Sequence, residues 1–298
     1  VGESDYYQIT VAAGQTLRVF LDSAATSGGT ELYIRRGAIP SRSQFDFRDG
    51  GSPQPDQDVV VPTTQPGTYF VLAYGRFGSA GAGAYTIGAE TLGLGFRGIT
   101  PASGANAGRV TVAIDGTQIT ANTEIAIISP GGAVMDATST QFQDASRLYA
   151  TFDLTGAAPG AYDVRLINGA SQAFAADAFS VVTGQPGRID AFLTTPSVIR
   201  PGREAEVTVE YVNEGDTDVT APLIFLQAQN ATLRWPDSDV FIGATTQILG
   251  INTSGPAGVL PPGARGRVTL SFLPTINNGP VDFNLFVLTD PSGVLDWS

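Results

Sequence analysis

The 298 residues contain no cysteine and no histidine, and all 16 basic residues are arginines. These absences remove whole classes of chemistry. No disulfide can form, no thiolate or imidazole can hold a soft metal, and no lysine can enter an isopeptide crosslink. A histidine base is missing, and G-x-S-x-G, the setting of a hydrolase nucleophile, does not occur. A stabilising metal would have to be a hard, oxygen-bound cation such as calcium. Charged residues make up only 15% of the chain, and the net charge is −12. Acidity of that size disfavours nucleic acid, whose phosphates attract basic patches, and anionic membrane surfaces for the same reason. No apolar run approaches the roughly 20 residues of a membrane span. Long helical periodicity is missing as well; "STQFQDASRLYATF" at 139–152 is the nearest place for a single helical turn.

What is present is a turn-and-strand phrase used repeatedly. "PGTYFVLAYG" at 66–75 returns as "PGAYDVRLING" at 159–169, and related openers are "AAGQTLRVFL", "NAGRVTVAI", "RPGREAEVTVEY" and "PPGARGRVTLSF". Proline pre-sets φ for the second turn position and glycine accepts the positive φ of the third, so a strand follows. In 162–167 apolar Tyr162, Val164 and Leu166 alternate with Asp163, Arg165 and Ile167, the rhythm of a half-buried strand. Gly14, Gly108 and Gly202 lie 94 residues apart. That period matches one immunoglobulin-sized sandwich of roughly 100 residues. With 36 glycines and 19 prolines for turns, the chain is expected to be all-β, three tandem antiparallel β-sandwich modules of Ig-like or jelly-roll-like build.

Three resemblances fit that division. Residues 1–90, through "DYYQITVAAGQTLRVFL", "GGTELYIRRGAIPS", "PGTYFVLAYG" and "AYTIGAE", resemble the bacterial pre-peptidase C-terminal domain. This family of small sandwiches occurs in secreted bacterial proteins, often attached to proteases, and some relatives bind collagen or other polymers. Residues 94–183, through "GITPASGANAGRVTVAIDGTQI" and "LYATFDLTGAAPGAYDVRLING", resemble an IPT/TIG immunoglobulin-like domain. Residues 187–298 are similar to bacterial CARDB-type adhesion domains, on "VTVEYVNEGDTDV" and "LPPGARGRVTLSF". In this third module 227–258 reads as an insertion.

Candidate sites are few. "GLGFRG" at 93–98 fits a dinucleotide fingerprint, but Pro101 and the strand beyond deny it the helix that would hold a pyrophosphate. Glu214, Asp216 and Asp218 alternate on a turn and are the candidate calcium ligands, against the plainer reading of solvated turn residues. No other cofactor is expected. Trp235 reads as a plug between sheets. The resemblance also implies a strand before Asp5 that this sequence lacks, which leaves an open sheet edge near Asp5, Tyr6 and Tyr7. Val294, Leu295 and Trp297, on the closing segment, are the candidate partners of that edge in another copy. The opening "VGESDYYQITV" reads equally as the start of a trimmed piece, with the missing strand upstream.

The expected function is therefore that of a non-catalytic extracellular bacterial protein, structural or adhesive, the unit of a stalk, surface layer or filament. Its partners would be further copies joined head to tail, further modules of a longer chain, or an extracellular polymer. The alternative is an accessory polymer-binding region of a secreted hydrolase such as a protease.

Overall fold

The computed structural model describes residues 2–24, 27–49, 54–78, 84–252, 255–256 and 258–289. Among them there is no helix, and the strands fall into three groups along the chain.

The first group comprises β1 (Ser4–Val11), β2 (Thr16–Ser23), β3 (Gly28–Arg36), β4 (Phe47–Arg48), β5 (Gln57–Val61), β6 (Gly67–Gly78) and β7 (Tyr85–Leu92). One sheet has the order β1-β6-β3-β4 and the other β5-β2-β7. Between them lie Leu17, Val19, Leu21, Leu32, Ile34, Val59, Val61, Tyr69 and Val71. The "PGTYFVLAYG" strand is β6, paired with β1 on one side and β3 on the other; Tyr69, Val71 and Ala73 face the core, and Leu72 on the opposite face is buried as well.

The second group comprises β8 (Gly95–Thr100), β9 (Ser103–Ala105), β10 (Arg109–Thr117), β11 (Glu124–Ile128), β12 (Val134–Asp136), β13 (Ser139–Asp144), β14 (Arg147–Asp153), β15 (Gly160–Asn168) and β16 (Ser171–Val182). Its sheets run β13-β14-β10-β8 and β12-β11-β15-β16-β9. Their inward faces alternate in register: Val110, Val112 and Ile114 of β10 meet Leu148, Ala150 and Phe152 of β14 across an antiparallel pair. The stretch 139–152 is not a helical turn but the hairpin of β13 and β14, because Leu148, Ala150 and Phe152 bury with period two.

The third group comprises β17 (Ile189–Thr194), β18 (Ala205–Asn213), β19 (Val219–Thr220), β20 (Leu223–Gln229), β21 (Ala231–Arg234), β22 (Thr245–Leu249), β23 (Val259–Leu260), β24 (Arg265–Pro274) and β25 (Asp282–Leu288). The sheets are β17-β18-β24-β21 and β22-β20-β25, with a β19–β23 ribbon. Val207, Val209, Ile224, Leu226, Leu233, Leu270 and Phe272 form the centre of the core, and Trp235 packs partly buried against it. Residues 227–258, read from the sequence as an insertion, carry the end of β20 and all of β21 and β22. Asn230 adopts φ of +65° between β20 and β21. The chain there leaves one sheet for the other, and the buried positions shift from Ile224, Leu226 and Ala228 to Ala231 and Leu233. That change of phase hides the strand rhythm from a reading of the sequence.

Of the Pro-Gly turns, Gly202 and Gly263 hold the expected backbone, with φ of +67° and +74°, whereas Gly67 and Gly160, the first residues of β6 and β15, stand at +133° and +158°.

Candidate functional site at the joint of the second and third sandwiches

The turn 213–219 between β18 and β19 is built on one buried amide. Asn213 is 1% exposed. Its Nδ2 donates to the carbonyls of Thr217 and Leu260, both at 2.8 Å. Its Oδ1 accepts from the Gly215 and Arg188 amides at 3.0 and 3.1 Å. Every hydrogen-bonding position of the side chain is thus engaged, as burial requires.

The connection 184–188 lies across this turn with almost no space between the two backbones. A Cβ on Gly215 would stand 2.3 Å from the Pro186 carbonyl oxygen and 2.5 Å from the Gly187 Cα. One on Gly187 would stand 2.4 Å from Val219 and 2.7 Å from the Thr217 carbonyl oxygen. Only glycine allows that approach. Asp216 accepts the Gln185 amide at 2.9 Å through Oδ2, and Thr217 Oγ1 accepts the Gly187 amide at 2.7 Å.

The same turn grips the second sandwich. The Ala105 amide donates to the Asp216 carbonyl at 2.9 Å, and the Asp218 amide donates to the Arg109 carbonyl at 2.8 Å. Asp218 then extends its carboxylate onto β10: Oδ1 accepts the Thr111 amide at 2.8 Å, and Oδ2 accepts Thr111 Oγ1 at 2.6 Å. Beyond it opens a cleft of about 870 Å³ between the two sandwiches, lined by Thr111, Gln141, Tyr149, Thr151, Asp218 and Thr220 among others.

Glu214, Asp216 and Asp218 are therefore not gathered around one point. Glu214 is exposed and joins the turn through its amide, which donates to the Arg188 carbonyl at 2.8 Å. Asp216 holds the connection, and Asp218 holds β10. Among the described residues no group of three or more acidic side chains is placed to hold a metal ion. What the sequence left unseen is the receiving side, Thr111, and the pin, Asn213. Nothing in "NAGRVTVAI" separates Thr111 from any other outward strand threonine.

The first joint is lighter. Gln118, with φ of +53°, donates through its amide to Thr16 Oγ1 at 3.2 Å and through Nε2 to the Gly14 carbonyl at 3.2 Å. Thr117 Oγ1 donates to the Gly93 carbonyl at 2.7 Å. "GLGFRG" lies mostly within β8, a strand, and opens no helix.

β1, which carries Asp5, Tyr6 and Tyr7, stands at the end of its sheet, with no strand on its outer side among the described residues. Of the three residues singled out there, Tyr6 is 54% exposed. Asp5 and Tyr7 are engaged within the sandwich: Tyr85 of β7 donates to the Asp5 carboxylate, and the Tyr7 and Tyr85 hydroxyls lie 2.7 Å apart. Burial, together with these two neighbours, holds the Tyr85 hydroxyl well above the ordinary tyrosine range. Val294, Leu295 and Trp297 lie outside the described residues.

This first sandwich has a recognisable relative. Residues 3–75 match the family model of the bacterial pre-peptidase C-terminal domain. The pre-peptidase C-terminal match runs from the start of β1 into β6, so it takes in the Asp5 edge and stops before β7. No curated protein matches the chain. Among solved structures, red sea bream transglutaminase is 12% identical with a TM-score of 0.26, over 67% of this chain and 30% of that one. The BSP domain of a biofilm-associated protein is 8% identical with a TM-score of 0.25, over 97% of this chain and 61% of that one. A marsupial T cell receptor is 11% identical at 0.25, over 96% and 99%. The chain thus spans under a third of the transglutaminase and under two thirds of the biofilm-associated domain. Likenesses at these scores carry no argument about function.

Proposed function

We propose that this chain is a non-catalytic, extracellular bacterial structural element, a run of β-sandwiches that serves as the unit of a stalk, surface layer or filament. The observation that carries the reading is the joint at 213–219. Its turn, its connection and the strands β9 and β10 of the second sandwich are tied by main-chain hydrogen bonds, and turn and connection meet through glycine contacts too close for any side chain. A joint of that kind holds two modules in a fixed relation, as a load-bearing rod needs. The pre-peptidase C-terminal match supports an exported bacterial setting. The open edge of β1, with Tyr6 exposed beside it, supports head-to-tail pairing with a second copy, for which the segment bearing Val294, Leu295 and Trp297 is the proposed partner.

The family match also favours a second reading, in which the chain tethers a secreted hydrolase to a polymer. Immunogold labelling of intact cells and of the culture fluid separates the two. Label along a surface layer or fibre supports the structural reading. Label found only with soluble protease activity replaces it with the second. Removing residues 292–298 tests the assembly step: native-length polymers that persist without them exclude pairing through that end.

A further inference from the structure

We propose that Asp218 makes the joint between the second and third sandwiches proton-linked, so that the two modules are held together more tightly when its carboxyl is protonated than when it is ionised. The geometry allows both states without loss of a hydrogen bond. Thr111 Oγ1 lies 2.6 Å from Asp218 Oδ2 and 2.8 Å from Thr151 Oγ1, and in the second of these contacts either hydroxyl can donate. With the carboxylate ionised, Thr111 donates to Oδ2 and accepts from Thr151. With it protonated, Oδ2–H donates to Thr111 Oγ1, whose own hydrogen turns to Thr151. The Thr111 amide donates to Oδ1 in either case. The two states therefore differ chiefly in the cost of keeping a charge away from water.

Little around the carboxyl offsets that cost. From β10, Arg109 is exposed and acts on it only through space, and it faces Asp153 of β14 in the strand register. From β14, Thr151 and Tyr149 present hydroxyls, and that of Tyr149 donates to Gln143 at 2.9 Å. From its own turn, Asp216 adds a second negative charge, held by the Gln185 amide. From the connection, Arg188 faces Asp190 at 3.2 Å instead. Burial accordingly pushes the Asp218 carboxyl up to about 6, against the smaller opposing effects of the Thr111 bonds and Arg109. A carboxyl raised in the folded state adds stability that is complete below its ordinary value near 4 and is lost as pH rises through about 6.

Hydrogen–deuterium exchange on the full chain at pH 5.0 and 7.5, corrected for intrinsic exchange rates, reads the opening of this joint through peptides covering 105–112 and 184–188. In the wild type the opening constant is expected to fall roughly ten-fold from pH 7.5 to pH 5.0, from a shift between about 4 and about 6. Asp218→Asn imitates the protonated acid, since Oδ1 still accepts the Thr111 amide and Nδ2 donates to Thr111 Oγ1. It is expected to be insensitive to pH in these peptides, and at pH 7.5 as closed as the wild type at pH 5.0. An Asn variant that opens the joint at pH 7.5, or one whose pH response equals that of the wild type, overturns the proposal. Should that variant not fold, the side-chain carboxyl carbon resonance of Asp218 followed by NMR across the pH range in the wild type decides: a titration midpoint in the ordinary aspartate range near 4 overturns the proposal.

Discussion

Asn213 and Gly215 stand two residues apart and depend on opposite properties, one on a side chain that satisfies four partners and the other on having none. Asn213→Ala strips partners from four main-chain groups in a buried turn. Each unsatisfied group costs about 1–3 kcal/mol before relaxation, so a loss of about 3 kcal/mol or more in denaturant unfolding is expected, with no change in the first sandwich. Gly215→Ala forces a methyl group against the Pro186 carbonyl and should open the joint, making 184–188 the first site of limited proteolysis. Gly108→Ala is the control. Its Cβ would meet Thr217 at 3.5 Å, an ordinary contact, so stability should stay within about 0.5 kcal/mol. Gly187, Gly215 and Asn213 are plain in the sequence, yet their roles are not. Close approach is a relation between two backbones, and residues 184–187 meet 213–219 only once both sandwiches have formed.

Edge strands decide how each sandwich meets its surroundings. On the inner side β1 pairs with β6 along its whole length, while its end is tied to β7 through Asp5, Tyr7 and Tyr85. Tyr85→Phe removes the hydroxyl that joins the two sheets there. It should cost about 1 kcal/mol and speed amide exchange in β1, with β10 and β14 unchanged; equal acceleration in all three would mean that the effect is global. The alternation read from "AYDVRLIN" describes a strand whose faces keep one phase. The stretch from β20 to β22 escaped such reading because Asn230 turns the chain between sheets and moves the buried positions from even to odd numbers. Periodicity reports a face only while a strand stays in one sheet.

At the level of the whole molecule the acidic turn behaves as a fastening. Asp216 and Asp218 each hold an amide of a neighbouring segment, so chelation by EDTA should leave the melting temperature unchanged. A cation bound by the native state alone would instead raise it by mass action, and a downward shift on chelation would restore calcium to this turn. Far-UV circular dichroism should show the β-rich, helix-poor spectrum that the strand groups require. The heavier second joint and the lighter first one also set an order of loosening: as temperature rises, the first sandwich should separate in motion from the other two before those part. Limited proteolysis that cuts first near 184–188 in the wild type would reverse that order.

The sequence by itself determined the all-β class, the period of one sandwich in every 94 residues or so, and the exclusions: no disulfide, no histidine-bound metal, no histidine base. These follow from residue identity and from local backbone preference, since a Pro-Gly turn and an alternating strand act within a few residues of themselves. Only the tertiary structure decided what the acidic residues do. A carboxylate in a turn looks the same whether it meets water, a cation or an amide a hundred residues away. Asp218 and Thr111 are 107 positions apart, and the burial that raises the carboxyl comes from the two sandwiches closing on each other.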